Sequence, residues 1–414
     1  MKTLLGELLE RAQRAYGSLD GLFKNTQRYF ERAIERIEEH YDVELHGFSE
    51  KIAVLLQQGC EQAENRLEKL IAALLQAGVV IKQRGRVIRV QPRDEEWFVS
   101  AHYGGTWIFS LPLHRINTNA IFPDVLKLPS DKLLEVQAGW RAGDEGAEGC
   151  RPVITTTQPW QILAWLVTRY GLSRVEIRGI FLNKKEPHLD WRVHAKEWRQ
   201  LWPGRRGKAA AQNIAWRSLG LLTWLLSDGK VGTSVRLCIG KREVIVDREL
   251  VREIVGRAYE IGLGRFLDII DSRKWTKLKM FARTFSVAAN IKGFNFLLYA
   301  TTKSVFAKTS PENAQKLLSC LEMLTSEIPV RVYRIDKYWE ITISGQGLLK
   351  LAELYSEWRE ALRELIHAAR IEPQTPMHKK LLELAENLPS PAKSLKEGSA
   401  LFSGARGLGA MAPP

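Results

Sequence analysis

The stretch Leu221–Gly229 reads LLTWLLSDG, an apolar helix pattern that ends in an aspartate and a glycine. Thr223 and Ser227 stand four residues apart, so they share one helix face, and small side chains at that spacing let a second helix backbone approach closely. Gly229 releases the chain from the helix. Asp228 then emerges at the end of a helix pair, where one carboxylate from each helix can hold a divalent cation such as Mg²⁺. We therefore predict that Asp228 is a metal ligand and a catalytic residue.

This stretch resembles the motif helix of the LAGLIDADG homing endonucleases, although Thr223 stands where the motif has glycine and Leu226 stands at its first acidic position. The resemblance implies an αββαββα core and metal-assisted hydrolysis of DNA. Apolar periodicity downstream predicts helices that alternate with pairs of strands, over 213–227, 235–246, 247–262, 281–302 and 311–327. A further β-hairpin over 330–343 and a helix over 346–370 continue this order.

The carboxylate that would partner Asp228 is not evident from the sequence. One motif supplies one carboxylate, so cleavage requires either a homodimer or a second motif in the chain. Residues 159–171 have a similar helix pattern without a terminal acid, and 317–327 end in a glutamate without a following glycine. Asp144 with Glu145, or Asp271, could also approach the site. The sequence leaves these possibilities open.

The N-terminal part of the chain has a different pattern. Leu4–Tyr41 and Phe48–Ala77 are amphipathic with a helical period, and the break between them predicts an antiparallel helical hairpin. This hairpin is either an arm for dimerisation or partner binding, or a layer packed on the body of the protein. Val79–Val90, VVIKQRGRVIRV, predicts a basic β-hairpin that resembles a wing, and Trp97–Leu113 predicts another hairpin.

These patterns predict an α+β fold with a LAGLIDADG-like αββαββα core, an N-terminal helical hairpin and additional β-hairpins. Gly139–Arg151, GWRAGDEGAEGCR, is glycine-rich and acidic, and it predicts a loop. We expect four segments: a helical hairpin or coiled coil at 1–78, a mixed α+β domain at 79–200, a LAGLIDADG-like domain at 201–372, and a flexible basic tail at 373–414.

The composition indicates the class of molecule that the protein binds. The chain has 414 residues and a formal net charge of +14, and its pI is about 9.6. Such a surplus attracts anionic polymers over about 8–10 Å in cellular salt. Hydrophobic residues at 45% and charged residues at 26% are typical of a folded protein. Nucleic acid, with DNA favoured, is therefore the expected partner.

Two segments interleave basic and aromatic residues, as phosphate contact and base stacking require. In 198–212 the candidate nucleic-acid contacts are Trp198, Arg199, Arg205, Arg206 and Lys208. In 273–283, which we expect to lie beside a strand, the candidates are Lys274, Trp275, Lys277, Lys279 and Arg283. The alternatives are that Trp198 anchors a turn in the core, and that the second segment is a solvated strand edge protected by lysines.

Four segments together resemble the archaeal Pyrobaculum repeat family of the PaREP type. They are GWRAGDEG at 139–146, TTTQPWQILAW at 155–165, WLLSDG at 224–229 and LLKLAE at 348–353. The resemblance implies an archaeal, thermophilic and intracellular origin. It implies no mechanism and offers no catalytic residues.

Several classes of protein are disfavoured. The four cysteines form no CxxC pair, so neither a zinc site nor a disulfide framework is expected. Charges near the N-terminus interrupt any signal peptide, and no apolar run is long enough to span a membrane, so we expect a cytoplasmic protein without a membrane partner. Three hypotheses remain: a nucleic-acid binder without catalysis, a metal-dependent DNA endonuclease that uses Asp228, and a protein-interaction module acting through the N-terminal helices.

Overall fold

In a computed structural model the chain divides into two units, Met1–Ala282 and Arg283–Pro414. The structure describes residues 2–102, 108–182, 186–199, 211–212, 214–232, 234–239, 242–283, 285–291, 294–300, 305–309, 330–335, 338–344, 346–369 and 379. Both units combine α-helices with antiparallel β-sheets, which confirms the predicted α+β class. None of the helices in these ranges has the length and hydropathy needed to cross a membrane.

The first unit begins with two long helices, α1 (Lys2–Tyr41) and α2 (His46–Leu75), which form the predicted hairpin. Each helix has one buried stripe, because its apolar side chains recur every three or four residues. Phe23 and Phe30 belong to the stripe of α1. Asp42 reverses the chain after α1 with a φ of 50°, a left-handed conformation that aspartate tolerates.

Next comes an antiparallel sheet in the spatial order β1-β2-β3-β4-β8-β9-β7-β6, in which β5 also pairs with β8. The predicted hairpins at 79–90 and 97–113 form its β1-β2 and β3-β4 pairs. The strands are β1 (Val79–Arg84), β2 (Val87–Pro92), β3 (Val99–His102), β4 (Ile108–Pro112), β5 (Asn117–Phe122), β6 (Glu145–Glu148), β7 (Arg151–Thr156), β8 (Gly171–Leu182) and β9 (Pro187–Ala195).

The helical hairpin covers one face of this sheet. The ring of Phe30 on α1 meets Trp191 of β9 edge to face, with 5.6 Å between centroids, and Phe48 of α2 meets Phe122 of β5 in the same way at 5.5 Å. These aromatic side chains are buried. Of the two interpretations of the hairpin, this packing supports the layer on the protein body. Because side chains alternate along a strand, the sequence neighbours of Trp191 and Phe122 point to the face of the sheet that the hairpin does not cover.

Three helices accompany this sheet: α3 (Ser130–Ala142), α4 (Pro159–Leu166) and α5 (Leu219–Asp228). The prediction of a loop over Gly139–Arg151 is wrong, since this segment contains the end of α3, all of β6 and the start of β7. Its glycines do not mark a loop because two of them lie where α3 touches a neighbouring helix. The predicted helix at 213–227 is shorter than expected and begins at Leu219.

The first unit ends with a small sheet and three helices. The sheet has the order β10 (Lys230–Val231), β11 (Val235–Ile239) and β12 (Arg242–Val246). The helices are α6 (Arg248–Glu260), α7 (Leu263–Ile269) and α8 (Arg273–Arg283). The expectation that 273–283 lies beside a strand is wrong. Trp275, Leu278 and Ala282 are buried at helical spacing, so the segment is an amphipathic helix whose lysines occupy its other faces.

The second unit has a sheet in the order β13-β14-β15-β17-β16. Its elements are β13 (Phe285–Ile291), β14 (Phe294–Ala300), β15 (Val305–Thr309), β16 (Val330–Ile335), β17 (Tyr338–Ser344), α9 (Gln346–Leu354) and α10 (Ser356–Ala369). The predicted hairpin at 330–343 is confirmed, and the one predicted at 281–302 is present over 285–300, because 281–283 belong to α8. The predicted helix at 346–370 is interrupted at Tyr355. The helix predicted at 311–327 and the tail beyond 379 lie outside the described residues.

We predict that Phe30→Ala loosens α1 and β9 together. Removing a buried phenylalanine costs about 3–5 kcal/mol, and Phe30 contacts Trp191 directly. Hydrogen exchange should therefore accelerate in both elements. The exposed neighbour Glu31 is the control, and Glu31→Ala should leave exchange in β9 unchanged. Faster exchange in α1 alone would contradict the packing of the hairpin on the sheet.

Candidate functional site

The helices α3 and α5 approach each other closely. A Cβ atom at Gly139 of α3 would overlap the backbone oxygen of Gly220 and the hydroxyl of Thr223, both on α5. A Cβ atom at Gly143 would overlap the side chain of Ser227. No residue larger than glycine fits at these two positions without moving a neighbour. The small residues predicted at 223 and 227 therefore do face a second helix.

Two hydrogen bonds fix the position of the pair. The buried hydroxyl of Thr223 donates to the backbone oxygen of Val136 on α3 at 2.7 Å. At the other end of α5, the backbone N–H of Leu219 donates to Glu135 Oε2 at 3.2 Å, which satisfies a donor of the first helical turn. Because both bonds join the two helices, they fix the relative position of the helix ends as well.

An aspartate lies at or just after the C-terminal end of each helix of the pair. Asp228 is the last residue of α5 and is exposed, whereas Asp144 follows α3 by two residues and is half-buried. The sequence carries a signal for this relation: Gly139, Gly143 and Asp144 have the same spacing as the small residues 223 and 227 and Asp228. The helix that ends near Asp144 is thus the partner that the sequence left open.

Lys274 of α8 connects the two helix ends. Its Nζ donates to the backbone oxygens of Leu226, at 3.0 Å, and of Ser227, the last carbonyls of α5. Burial lowers the pKa of Lys274, and the negative charges of Asp144 and Asp228 oppose that shift. A Cβ atom at Gly143 would lie 3.5 Å from the backbone nitrogen of Asp228, so Asp144, Asp228 and Lys274 lie near one another at the helix ends.

A chain of hydrogen bonds orients Asp144. Gln161 of α4 donates from Nε2 to Asp144 Oδ2 at 2.5 Å. The hydroxyl of Thr156 donates to Gln161 Oε1, also at 2.5 Å, and accepts from the backbone N–H of Gln158 at 3.0 Å. Gln161 and Thr156 are buried. The carboxylate of Asp144 is consequently held in one orientation by buried groups.

A cavity of about 560 Å³ opens beside these residues. Its wall includes Asp144, Lys274 and Lys277, together with Asp190 of β9. Asp190 is buried, and burial raises its pKa to about 6 although Arg178 lies 3.7 Å away. The cavity therefore combines carboxylates with ammonium groups, which is the composition of a polar substrate site rather than of an apolar pocket.

Asp144 and Asp228 are the candidate ligands for a divalent cation. The described residues contain no group of three or more His, Cys, Asp or Glu side chains arranged to hold a metal. Mg²⁺ does not need three protein ligands, because it commonly binds one or two carboxylates and completes its coordination shell with water and substrate phosphates. Each helix C-terminus adds about half a negative charge to that of the two carboxylates, and the ammonium group of Lys274 offsets part of this charge. Asp144 and Asp228 are the residues that could hold the cation.

The other acidic candidates have different roles. Glu145 is fully buried and pairs with Arg169 at 3.0 Å, and it accepts a hydrogen bond from the indole of Trp165 at 2.8 Å. It holds α4 against β6. Asp271 lines a different cavity, formed with α1.

The candidate contacts of 198–212 are only partly within the described residues. Trp198 is half-buried, and its indole N–H donates to the backbone oxygen of Tyr170 at 2.8 Å. The guanidinium group of Arg169 lies 5.5 Å from the centre of the Trp198 ring. Arg199 is exposed, and Arg205, Arg206 and Lys208 lie outside the described residues. These contacts correspond to the alternative in which Trp198 anchors the chain.

The candidates on α8 are distributed over different faces of that helix. Lys274 and Lys277 line the cavity, as described above. Trp275 is fully buried and donates to Asp268 Oδ1 at 2.8 Å, so its ring has no surface available for stacking. Lys279 pairs with the same aspartate. The side chain of Arg283 is outside the described part of the structure.

No protein-family model matches the chain, and a search of curated proteins finds no significant match. The chemistry of the cavity is therefore the basis for assigning a function.

The close helix contact predicts opposite effects of alanine at two glycines. Gly139→Ala should lower the free energy of unfolding by about 1–3 kcal/mol, because the added methyl group collides with backbone atoms of α5. Gly17→Ala is the matched control: nothing lies within 4 Å of a Cβ there. Alanine should stabilise α1 by about 0.5–1 kcal/mol. Urea unfolding measures the free energy of unfolding of both variants. Equal changes for Gly139→Ala and Gly17→Ala would contradict the close helix contact.

The buried Asp190 predicts a pH-dependent stability. Its pKa of about 6 in the folded state exceeds the value of about 3.9 in an unfolded chain, so protonation favours folding and that stability is lost as the pH rises through about 6. Asp190→Asn does not titrate. From pH 4 to pH 8 its stability relative to wild type should rise by up to about 3 kcal/mol. Urea unfolding at the two pH values tests this prediction, and the exposed Asp94→Asn is the control. If the difference in unfolding free energy between Asp190→Asn and wild type is the same at both pH values, the prediction is wrong.

Proposed function

We propose that this chain binds double-stranded DNA and cleaves it with a divalent cation held by Asp144 and Asp228. The observation that carries the proposal is the contact of two helix ends, Gly143 against Ser227 and the backbone of Asp228, which brings Asp144 and Asp228 near each other beside the ammonium group of Lys274. Pairs of carboxylates that hold Mg²⁺ against a phosphate are a recurrent solution for phosphodiester hydrolysis.

The order of elements supports a LAGLIDADG-like core. Over 130–195 and 219–228 the described elements run helix, strand, strand, helix, strand, strand, helix, from α3 to α5. Both helices that end at the site carry small residues at the contact and an aspartate beyond it. The proposed core thus begins upstream of the motif, with α3 as its first helix. The PaREP resemblance adds an archaeal origin to the proposal and no chemistry.

Basic residues support DNA as the substrate. Arg192 follows Trp191, which faces α1, so Arg192 is on the opposite face of the sheet. Thr155, which lines the cavity, pairs with Arg192 across β7 and β9. Lys82 and Arg89 pair across the basic hairpin and are both exposed. Arg192 is paired with Glu148 at 3.0 Å, so the positive charge available to phosphate groups comes from Lys82 and Arg89 and from Lys274 and Lys277 of the cavity.

The residues of the site have distinct tasks in the proposed reaction. Asp144, oriented by Gln161, and the exposed Asp228 hold the cation. A bound divalent cation polarises the phosphodiester and lowers the pKa of a water. Lys274 and Lys277 present positive charge to the non-bridging phosphate oxygens. Because Asp144 supplies the second carboxylate, the proposed site needs no second copy of the chain.

A binder without catalysis is the second candidate. The observation that favours it is the ammonium group of Lys274, which donates to the carbonyls of Leu226 and Ser227 and interacts electrostatically with both carboxylates. This charge can balance the two aspartates in the absence of a metal. In that case DNA affinity depends on salt and is independent of divalent cations.

We predict that Asp144→Asn and Asp228→Asn each abolish metal binding and cleavage. Mn²⁺ uptake, followed by the paramagnetic resonance of free Mn²⁺, should show one bound ion in wild type and none in either variant. Cleavage of a randomised duplex library in Mg²⁺ should fall by about a hundredfold or more, the scale of losing one electrostatic stabiliser of the transition state. Asp131→Asn, at the other end of α3, is the control.

The results separate the two candidates. Loss of Mn²⁺ and of cleavage in both aspartate variants, with Asp131→Asn unaffected, supports the nuclease. Salt-dependent DNA binding that needs no metal, combined with no cleavage by wild type, supports the binder. If wild type binds no duplex even at low salt, both candidates are wrong.

A further inference from the structure

A second cleft, of about 240 Å³, lies between α1 and the turn that joins α7 to α8. Three arginines line it from α1: Arg28, Arg32 and Arg36. On the other side are Ile269, at the end of α7, and Asp271. All the walls belong to the first unit of the chain, and the three arginines are exposed.

The arginines form one row. They stand four residues apart, so they share a face of α1, and successive members are separated by about 6 Å along the helix axis. The row thus presents three guanidinium groups over about 12 Å. In duplex DNA each strand carries a phosphate every 3.4 Å of helix axis, so this length corresponds to about three or four phosphates.

The guanidinium groups of this row form no ion pairs within the described part of the protein. Among the described residues, none of the ion pairs within 4.0 Å includes Arg28, Arg32 or Arg36, whereas Arg14 on the same helix pairs with a glutamate. One carboxylate, that of Asp271, also lines the cleft. Three guanidinium groups against one carboxylate leave a net positive cleft, which is suited to an anion with several charges.

The wall of the cleft is rigid at its centre. Tyr29 of α1 is largely buried, and its hydroxyl donates to the backbone oxygen of Ile270 at 2.7 Å. Burial raises the pKa of Tyr29 well above its usual value, so it remains a protonated donor. This bond fastens α1 to the α7–α8 turn between Arg28 and Arg32. The arginines therefore extend from a fixed backbone.

We propose that this cleft is a second phosphate-binding site, which takes the backbone of the DNA that the cavity beside Asp144 binds. This inference rests on the proposed function. The short turn after α7 supports it, since Ile269 and Asp271 line the arginine cleft while Arg273 and Lys277 line the other cavity. The two basic sites are thus separated by one turn of chain, and DNA bound in the first can continue to the second.

The experiment compares two triple variants of the full chain. Arg28→Gln, Arg32→Gln and Arg36→Gln together remove the row, and Arg14→Gln, Lys51→Gln and Lys69→Gln remove the same charge elsewhere on the helical hairpin. Binding of a fluorescent 30-base-pair duplex is measured from 50 to 300 mM salt. For the row variant, the slope of log affinity against log salt should fall by about 3, and affinity at low salt by about tenfold or more. The control variant should keep the wild-type slope.

A single variant should act in the opposite direction. Asp271→Asn removes the one carboxylate of the cleft, and asparagine tolerates the left-handed backbone at this position, where φ is 51°. Affinity for the duplex should rise severalfold, because a charge that repels phosphate is lost. Calorimetry with pyrophosphate should show the same pattern: tighter binding for Asp271→Asn and weaker binding for the row variant.

The outcomes distinguish this proposal from the proposed function. If wild type binds DNA and the row variant keeps its salt slope, the second site is wrong and the function at Asp144 and Asp228 is unaffected. If the row variant keeps its DNA affinity but no longer binds polyglutamate, the cleft takes an acidic protein and the proposal is also wrong. If wild type binds no duplex at all, the failure belongs to the proposed function.

Discussion

The contact between α3 and α5 is the constraint on which the rest of the site depends. Gly139 and Gly143 let the backbones of the two helices approach, and the hydroxyl of Thr223 bonds across the gap to Val136. This separation brings the ends of the two helices, and with them Asp144 and Asp228, near each other. The geometry of the site thus depends on backbone packing that begins a helical turn away from it.

The arrangement concentrates negative charge at the helix ends. Two helix C-termini and two carboxylates bring negative charge together, which each helix dipole disfavours. Lys274 offsets part of this charge, and its own burial lowers its pKa. A third carboxylate, Asp190, is kept buried on the same cavity. Concentrations of uncompensated or desolvated charge of this kind are common at functional sites, because stability is sacrificed there for binding or catalysis.

The sheet and the helical hairpin divide the positive charge of the first unit between two surfaces. On one face of the sheet, α1 and α2 bury the aromatic contacts of Trp191 and Phe122. The opposite face carries the cavity with Lys274 and Lys277, and Arg192 beside it is paired with Glu148. The outer side of α1 keeps the arginine row, next to the turn that leads into α8. The hairpin is thus a structural layer on its inner side and a charged surface on its outer side.

The sequence alone determined the elements whose pattern is local. The helical hairpin, the β-hairpins at 79–90 and 97–113, and the end of α5 at Asp228 follow from apolar periodicity and turn residues. The sequence did not reveal α3, because glycines penalise a helix unless another helix occupies the space they leave. Nor did it reveal that 273–283 is a helix with Trp275 inside. Only the tertiary structure decided that the helix before Asp144 packs against the helix that ends at Asp228, since the two aspartates are 84 residues apart in the chain and no local pattern encodes this packing.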